Sequence, residues 1–201
     1  FLHGIHRKDS GMDIFKLETD QLLLRNFVEK DLTALHLLLS DKEVNTFLPW
    51  FPVKTMEETK HFFETRLKGK KYCFAICLKE KDEPIGYITV AMDDSHDFGY
   101  ALRKEFWHQG IVTQASKAVV HLLQKDGIDY ITATHDKNNP RSGGVMRQIG
   151  MKYCYSYKEL WQPKNILVTF RMYQLNLDGQ TNRIYKKYWN LYADHFIETD
   201  V

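Results

Sequence analysis

The chain has 201 residues, 43% of them apolar and 27% charged, with a formal net charge of +2. This composition argues against disorder, and so small a charge, with no basic run beyond short pieces such as Lys68, Lys70 and Lys71, argues against a nucleic-acid partner. No stretch approaches the ~18 consecutive apolar residues of a membrane-spanning helix. The three cysteines form neither a disulfide framework nor a zinc pattern. Cys73 and Cys77 read as small buried hydrophobes, which fits a reducing cytoplasm. Met12 is the expected natural start, so residues 1–11 are read as a cloning remnant outside the fold.

In chain order, "FKLETDQLLLRNF" alternates as a strand or hairpin, and "EKDLTALHLLLSD" sets Leu32, Leu35, Leu38 and Leu39 at helical spacing. A loop with two prolines, "NTFLPWFPVKT", precedes a helix whose capping-box signature is Thr55 with Glu58 and whose stop is Gly69. "KYCFAICLKE", "EPIGYITVAM" and "HDFGYALR" predict three successive strands in an antiparallel meander. Ile111, Ala115, Ala118, Val119, Leu122 and Leu123 then form a helical stripe, and "DYITATHD" a buried strand. "NNPRSGGVMRQIGM" predicts a short helix with Asn139 as N-cap, Pro140 at its first position and Gly150 past its end. Two more strands, "KYCYSYKEL" and "ILVTFRMYQLN", lead to a tail helix with Ile184, Tyr188, Leu191, Tyr192 and His195 along one side. The reading is one mixed α/β domain.

The segment "RKEFWHQGIVTQAS" places Gly110 between a strand and a helix. The first N–H groups of a helix lack intrahelical acceptors, and with the helix dipole they make an anion site, most often for phosphate. Gly110 would admit such an anion without obstruction by a β-carbon, and Thr113 could add its hydroxyl. The plainer reading, a tight turn needing a positive φ, stays open. A nucleoside-triphosphate loop and a dinucleotide fingerprint are both missing from the sequence.

From Phe15 to Asn176 the chain resembles the GNAT superfamily of acetyl-CoA-dependent N-acetyltransferases, in its RimJ/RimL-like branch. The resemblance rests on "FLPW", "PIGYITV", "FGYAL", "FWHQGIVTQA" and "NNPRSGGVMRQIGM". It implies an α/β (α+β mixed) acyl-CoA N-acyltransferase fold, a mostly antiparallel central sheet splayed between the fourth and fifth strands and flanked by helices. The domain would cover residues 12–178, and 179–201 would form an amphipathic helical extension. The family's pyrophosphate loop falls on Trp107 to Val112, with Gly110 matching, Trp107 in place of Gln or Arg, and Val112 where Gly or Ala is expected. The cofactor contacts implied are Tyr100, Ala101, Leu102, His108, Gln109, Gly110, Ile111, Val112, Thr113, Asn139 and Ser142. Pantetheine would lie between "FGYALR" and "DYITATH", with Asn139 on its arm and Ser142 near the thioester sulfur. Asn139 also reads as a plain helix N-cap, and Ser142 as a first-turn serine bonded to local backbone.

What the resemblance implies chemically is direct transfer of acetyl from acetyl-CoA to an amine, without an acyl-enzyme or a metal. A backbone N–H near Tyr100 to Leu102 would stabilise the oxyanion. An α-amine, neutral about one time in six to ten at pH 7, is an easier nucleophile than a lysine-like amine, neutral about once in 2,500. Asp97 is the first candidate for the base, with Glu105 and His135 behind it. Met146 stands where some relatives carry a general-acid Tyr, which leaves Ser142 to protonate the thiolate. Trp50, Phe51 and Trp161 would line the acceptor side, or simply close the core. The expected partner is a small-molecule or peptide amine, with no nucleic acid and no membrane, in a cytoplasmic monomer or homodimer. The alternative is a non-catalytic fold of the same kind that binds CoA or a metabolite.

Overall fold

The computed structural model describes residues 4–9 and 12–201, with side chains from Phe15 onward. Its strands are β1 (Gly4–Asp9), β2 (Met12–Glu18), β3 (Leu22–Arg25), β4 (Cys73–Leu78), β5 (Pro84–Val90), β6 (Phe98–Leu102), β7 (Tyr130–Asp136), β8 (Lys152–Trp161), β9 (Ile166–Asn176) and β10 (His195–Phe196). The α-helices are α1 (Leu32–Ser40), α2 (Met56–Phe62), α3 (Ile111–Lys125), α4 (Pro140–Gln148) and α5 (Lys187–Leu191). The strands fall into two sheets, ordered β1-β2-β3-β4-β5-β6 and β10-β8-β9-β7. The break comes between β6 and β7, the strands expected as fourth and fifth. Residues 4–9, expected outside the fold, pair antiparallel with β2.

One unit comprises the chain through Thr46 with Pro52–Val90 and Gly99–Val119. Its strands β3 and β4 are apolar runs buried on both faces, and α1 packs against β5 and α2. Arg25, at the end of β3, is buried but fully paired. Its guanidinium grips Asp31 through two bonds of 2.7 and 2.9 Å and donates through Nε to Asp82 at 2.7 Å. Asp31 in turn accepts the Val28 N–H at 2.8 Å and so sets the entry to α1. The capping box at α2 is displaced by one residue. Thr55 accepts the Glu58 N–H, but the Glu58 carboxylate takes the N–H of Lys54 rather than that of Thr55.

The arrangement of β5 against β6 depends on Gly86. A β-carbon there would lie 2.4 Å from the Ala101 carbonyl oxygen. Gly86→Ala is therefore expected to destabilise the protein by about 1–3 kcal/mol, read as a lower midpoint in urea unfolding, because backbone must move to make room.

The other unit comprises Phe47–Phe51, Ala91–Phe98 and Val120–Val201. In β8 the tyrosines at 153, 155 and 157 suggest one face, but a bulge between Tyr153 and Tyr155 divides them. Tyr153 shares a face with its partner Tyr173, while Tyr155 and Tyr157 join Val168, Phe170 and Met172 in a buried cluster on the opposite face. The tail covers that cluster with Tyr185, Tyr188, Trp189 and Tyr192. Tyr157 is stacked between Tyr188 and Tyr192, at centroid distances of 5.1 and 5.0 Å.

The expected tail helix contracts to the five residues of α5, and β10 then pairs with β8. Two effects oppose a longer helix. The open edge of β8 offers backbone bonds that only an extended segment can take, and Ile184 and Leu191, expected on the apolar side, are exposed. Beyond β10, Glu198 receives Arg171 through two bonds of 2.8 and 3.0 Å, Ser156 at 2.6 Å and Lys137 at 3.1 Å. The Arg171 bonds lead in holding its carboxyl down at about 2, against some desolvation. A depressed carboxyl stabilises the fold above its ordinary pKa and ceases to do so as pH falls toward its folded value. Glu198→Gln is expected to cost on the order of 2–3 kcal/mol at pH 7 and almost nothing near pH 2, read by thermal unfolding at the two pH values.

Candidate active site

The segment from β6 to α3 is built from short-range contacts. After Leu102 the chain makes a 3-10 turn over Lys104–Phe106, and the Trp107 indole N–H donates to the Leu102 carbonyl at 2.8 Å. The Gln109 side chain donates to the Glu105 carbonyl at 3.1 Å. His108 and Gly110 both take left-handed backbone, at φ 62° and 72°. The first helical bond of α3 is Gln114 N–H to the Gly110 carbonyl at 3.0 Å, so the N–H groups of Ile111, Val112 and Thr113 have no acceptor within the helix. His108, Gln109 and Gly110 are exposed, Val112 and Thr113 half-buried, and Ile111 is buried in the core.

Gly110 takes the positive φ of the tight turn that the sequence left open, and a β-carbon there would meet no protein atom within 4 Å. Two left-handed residues leading into a helix N-terminus aim successive N–H groups outward, the arrangement of an anion-binding nest.

The three β6 residues expected at the cofactor differ in orientation. Arg103 N–H bonds the Ile85 carbonyl and Ala91 N–H bonds the Asp97 carbonyl, so β6 runs antiparallel to β5 with its odd-numbered backbone groups turned toward β5. Ala101 therefore pairs with Tyr87, and Tyr100 and Leu102 carry the backbone groups directed to the outer edge.

In the second unit, Asp97 lies just ahead of β6 and forms a single parallel bridge with Thr132 of β7. It is half-buried. Burial, with Asp93 alongside, pushes its carboxyl up to about 6. Its charge also raises the phenol of Tyr188, after burial, and contributes to the raised phenol of Tyr157. Glu105, the second candidate, is ion-paired with Arg103 at 2.8 Å. His135 is buried against Tyr173, with Nδ1 on the Asp136 carbonyl at 2.7 Å, and a β-carbon at Gly143 would lie 2.6 Å from its Nε2. Burial lowers its pKa. It is a packed structural histidine beneath α4.

Asn139 occupies the N-cap position of α4 but makes no side-chain cap bond, so the plain N-cap reading of its side chain fails. Ser142 is half-buried one turn on, and Met146 is buried in the core. Phe51 is exposed and Trp50 half-buried. Trp161 stands edge-on to Phe170 at 4.8 Å, packed on the tyrosine cluster. Cys73 and Cys77 are buried, with thiols pushed up to about 12, and burial raises Cys154 to about 11. None of them is a ready thiolate. Sequence reasoning missed Ser95, Tyr157 and Tyr188 around Asp97. The tyrosine spacing in "KYCYSYKEL" was the available signal, and the bulge at Cys154 obscured which of its members mattered. Among the described residues no group of His, Cys, Asp and Glu could hold a metal, and no helix is long and apolar enough to cross a membrane.

An open helix N-terminus after a left-handed glycine turn, in a mixed α/β frame, is a place where an anionic group can be held. A family model described as an acetyltransferase (GNAT) domain matches residues 21–152, and the chain belongs to that family. It is 27% identical over 140 residues to YnaD, an uncharacterized N-acetyltransferase of Bacillus subtilis (strain 168), covering 68% of this chain and 82% of YnaD. Among solved structures it is similar to a GNAT-family acetyltransferase from Bacillus anthracis, with TM-score 0.72, 24% identity, and coverage of 81% of this chain and 99% of that one. It is also similar to RimL, the ribosomal L7/L12 alpha-N-protein acetyltransferase in complex with coenzyme A, with TM-score 0.67, 23% identity, and coverage of 81% and 97%.

Proposed function

We propose that this acetyltransferase moves the acetyl group of acetyl-CoA directly to a primary amine, an N-terminal α-amine or a small-molecule amine. The observation that carries the reading is the α3 N-terminus, with three N–H groups lacking helical acceptors behind an exposed glycine held at φ 72°. The pyrophosphate is the group that fits there, held by the backbone of His108 through Thr113. Asn139, with no cap bond to make, contacts the pantetheine arm, and an N–H of Tyr100 or Leu102 receives the oxyanion. Trp50, Phe51 and Trp161 border the acceptor.

The step is balanced by this chain's own groups. The ammonium of the acceptor gives its proton to the Asp97 carboxylate, and the neutral nitrogen attacks the thioester carbon. A C–N bond forms, the tetrahedral oxyanion collapses, and the C–S bond breaks. The departing thiolate takes a proton from the Ser142 hydroxyl, directly or through water, as Ser142 takes the surplus proton from the acylated nitrogen, so that a neutral amide, a thiol and a neutral serine result and Asp97 later returns its proton to solvent. With its carboxyl near 6, Asp97 is ionised at pH 7 and still close enough in pKa to an α-ammonium of about 7.7–8.0 for the transfer to be easy. A lysine-like amine needs roughly 3–4 kcal/mol more help, which favours an α-amine or weakly basic acceptor.

Calorimetric titration with acetyl-CoA and with dephospho-CoA, followed by thiol release against peptides with free N-termini and against small amines, tests the reading. Micromolar binding and amine-dependent thiol release are expected. Binding without release for any amine would make the protein a CoA-binding module, and no binding would end the cofactor assignment.

A further inference from the structure

The turn that carries Asp97 is held from the far end of the chain. Within it, the Ser95 hydroxyl donates to Asp93 Oδ1 and accepts the Asp97 N–H at 3.1 Å, while the Ser95 carbonyl accepts from Thr132 Oγ1 at 2.8 Å. Asp94, beside it, is bound by the tail. Tyr185 donates its hydroxyl to Asp94 Oδ1 at 3.1 Å, and Lys187 Nζ lies 3.9 Å from the same carboxylate oxygen. The Tyr130 hydroxyl donates to the Asp94 carbonyl. Between these anchors, Tyr188 of α5 stacks on Tyr157 of β8 with an interplanar angle of 25°, and its hydroxyl faces Ser95 and Asp97.

The geometry points to Tyr188 as a positioning residue for Asp97: the C-terminal segment roofs that carboxyl and anchors its turn, and so belongs to the acid–base machinery. The inference rests on the assignment of Asp97 as the base. Three groups face the carboxyl, Asp93 from its own turn, Tyr157 from β8 and Tyr188 from α5. None of them is a cation that could hold the carboxylate by charge, so cover and backbone anchoring must do so. The ring of Tyr188, held on Tyr157, limits the water that reaches the half-buried carboxyl, and its hydroxyl steadies the serine on which the Asp97 N–H hangs.

The test uses the full-length protein with carboxyl-13C aspartate, the Asp97 signal being assigned by its loss in Asp97→Asn. Titration by NMR is run beside turnover of acetyl-CoA with a tetrapeptide bearing a free N-terminal alanine. In Tyr188→Ser, more water reaches Asp97, and the titration midpoint is expected to drop by about one pH unit or more toward the ordinary aspartate value. Its kcat is expected to fall at least roughly tenfold while the acetyl-CoA dissociation constant stays within about twofold. Tyr188→Phe keeps the ring, so the midpoint should hold while kcat falls by roughly threefold or more from the loosened turn. A folded Tyr188→Ser with wild-type midpoint and kcat overturns the inference. If Tyr188→Ser does not fold, Tyr188→Phe decides alone, and an unchanged kcat overturns it. Full activity in Asp97→Asn would remove Asp97 as the base, yet the NMR midpoints would still decide whether Tyr188 positions that carboxyl.

Discussion

Asp97→Asn is expected to lower kcat/KM by about 10²- to 10⁴-fold, the usual range for a positioned general base. The pH profile makes the assignment specific. The competent form is the carboxylate, so in the native protein kcat/KM should fall about tenfold per pH unit below about 6, the value to which burial pushes the group. The Asn variant should be flat across that limb. Stability should move the other way. A carboxyl raised on folding favours the fold while it stays protonated, and that contribution disappears as pH rises from the ordinary aspartate range through about 6. At pH 7 the native protein therefore carries an ionised carboxylate that its surroundings disfavour, and Asp97→Asn should be more stable by about 1–3 kcal/mol. A slower and more stable variant is the pattern of a group kept for function. Equal stability at pH 7, measured by urea unfolding, would show that the carboxyl is not raised.

Gly110→Asp is expected to weaken acetyl-CoA binding by about 3 kcal/mol, roughly 100-fold by calorimetry, because it places a fixed negative charge where the helix N-terminus receives the pyrophosphate. Neither side chain clashes with the fold itself, since a β-carbon at Gly110 meets no protein atom within 4 Å. The control is Gly110→Asn, nearly isosteric, neutral and tolerant of positive φ, which should stay within about fivefold of the native affinity. Dephospho-CoA retains the pyrophosphate and should show the same difference between the two variants. Equal loss in Asp and Asn would mean that the bulk or conformation of the side chain decides rather than its charge, and native affinity in Gly110→Asp would remove the anion from this turn.

The legible parts of this protein were those decided within a few residues. The stripe from Ile111 to Leu123, Pro140 at the start of α4, the stop at Gly150 and the apolar runs of β4 and β9 follow from periodicity and from the φ restrictions of proline and glycine. Gly110 was legible too, and the coordinates give it the positive φ that a tight turn there requires. The tail was not. Its Tyr and Leu spacing fits a helix, but a strand edge and an aromatic face on β8 compete for the same residues, and they lie some 30 positions earlier in the chain.

The catalytic reading divides in the same way. Residue type and family pattern bring Asp97, Asn139 and Ser142 to notice, because the chemistry needs a base, an amide and a hydroxyl at set places in the motifs. Which of these is poised for its task is a tertiary matter. Pairing with Arg103 occupies Glu105, the packing of Gly143 buries His135, and the outer edge of β6 carries the backbone groups of Tyr100 and Leu102. The raised carboxyl of Asp97 comes from burial in the folded chain, with Asp93 alongside. Local covalent geometry and hydrophobic period write the elements into the chain. Desolvation and hydrogen-bond partnership depend on what long-range folding places beside each group, and they decide which carboxylate can act.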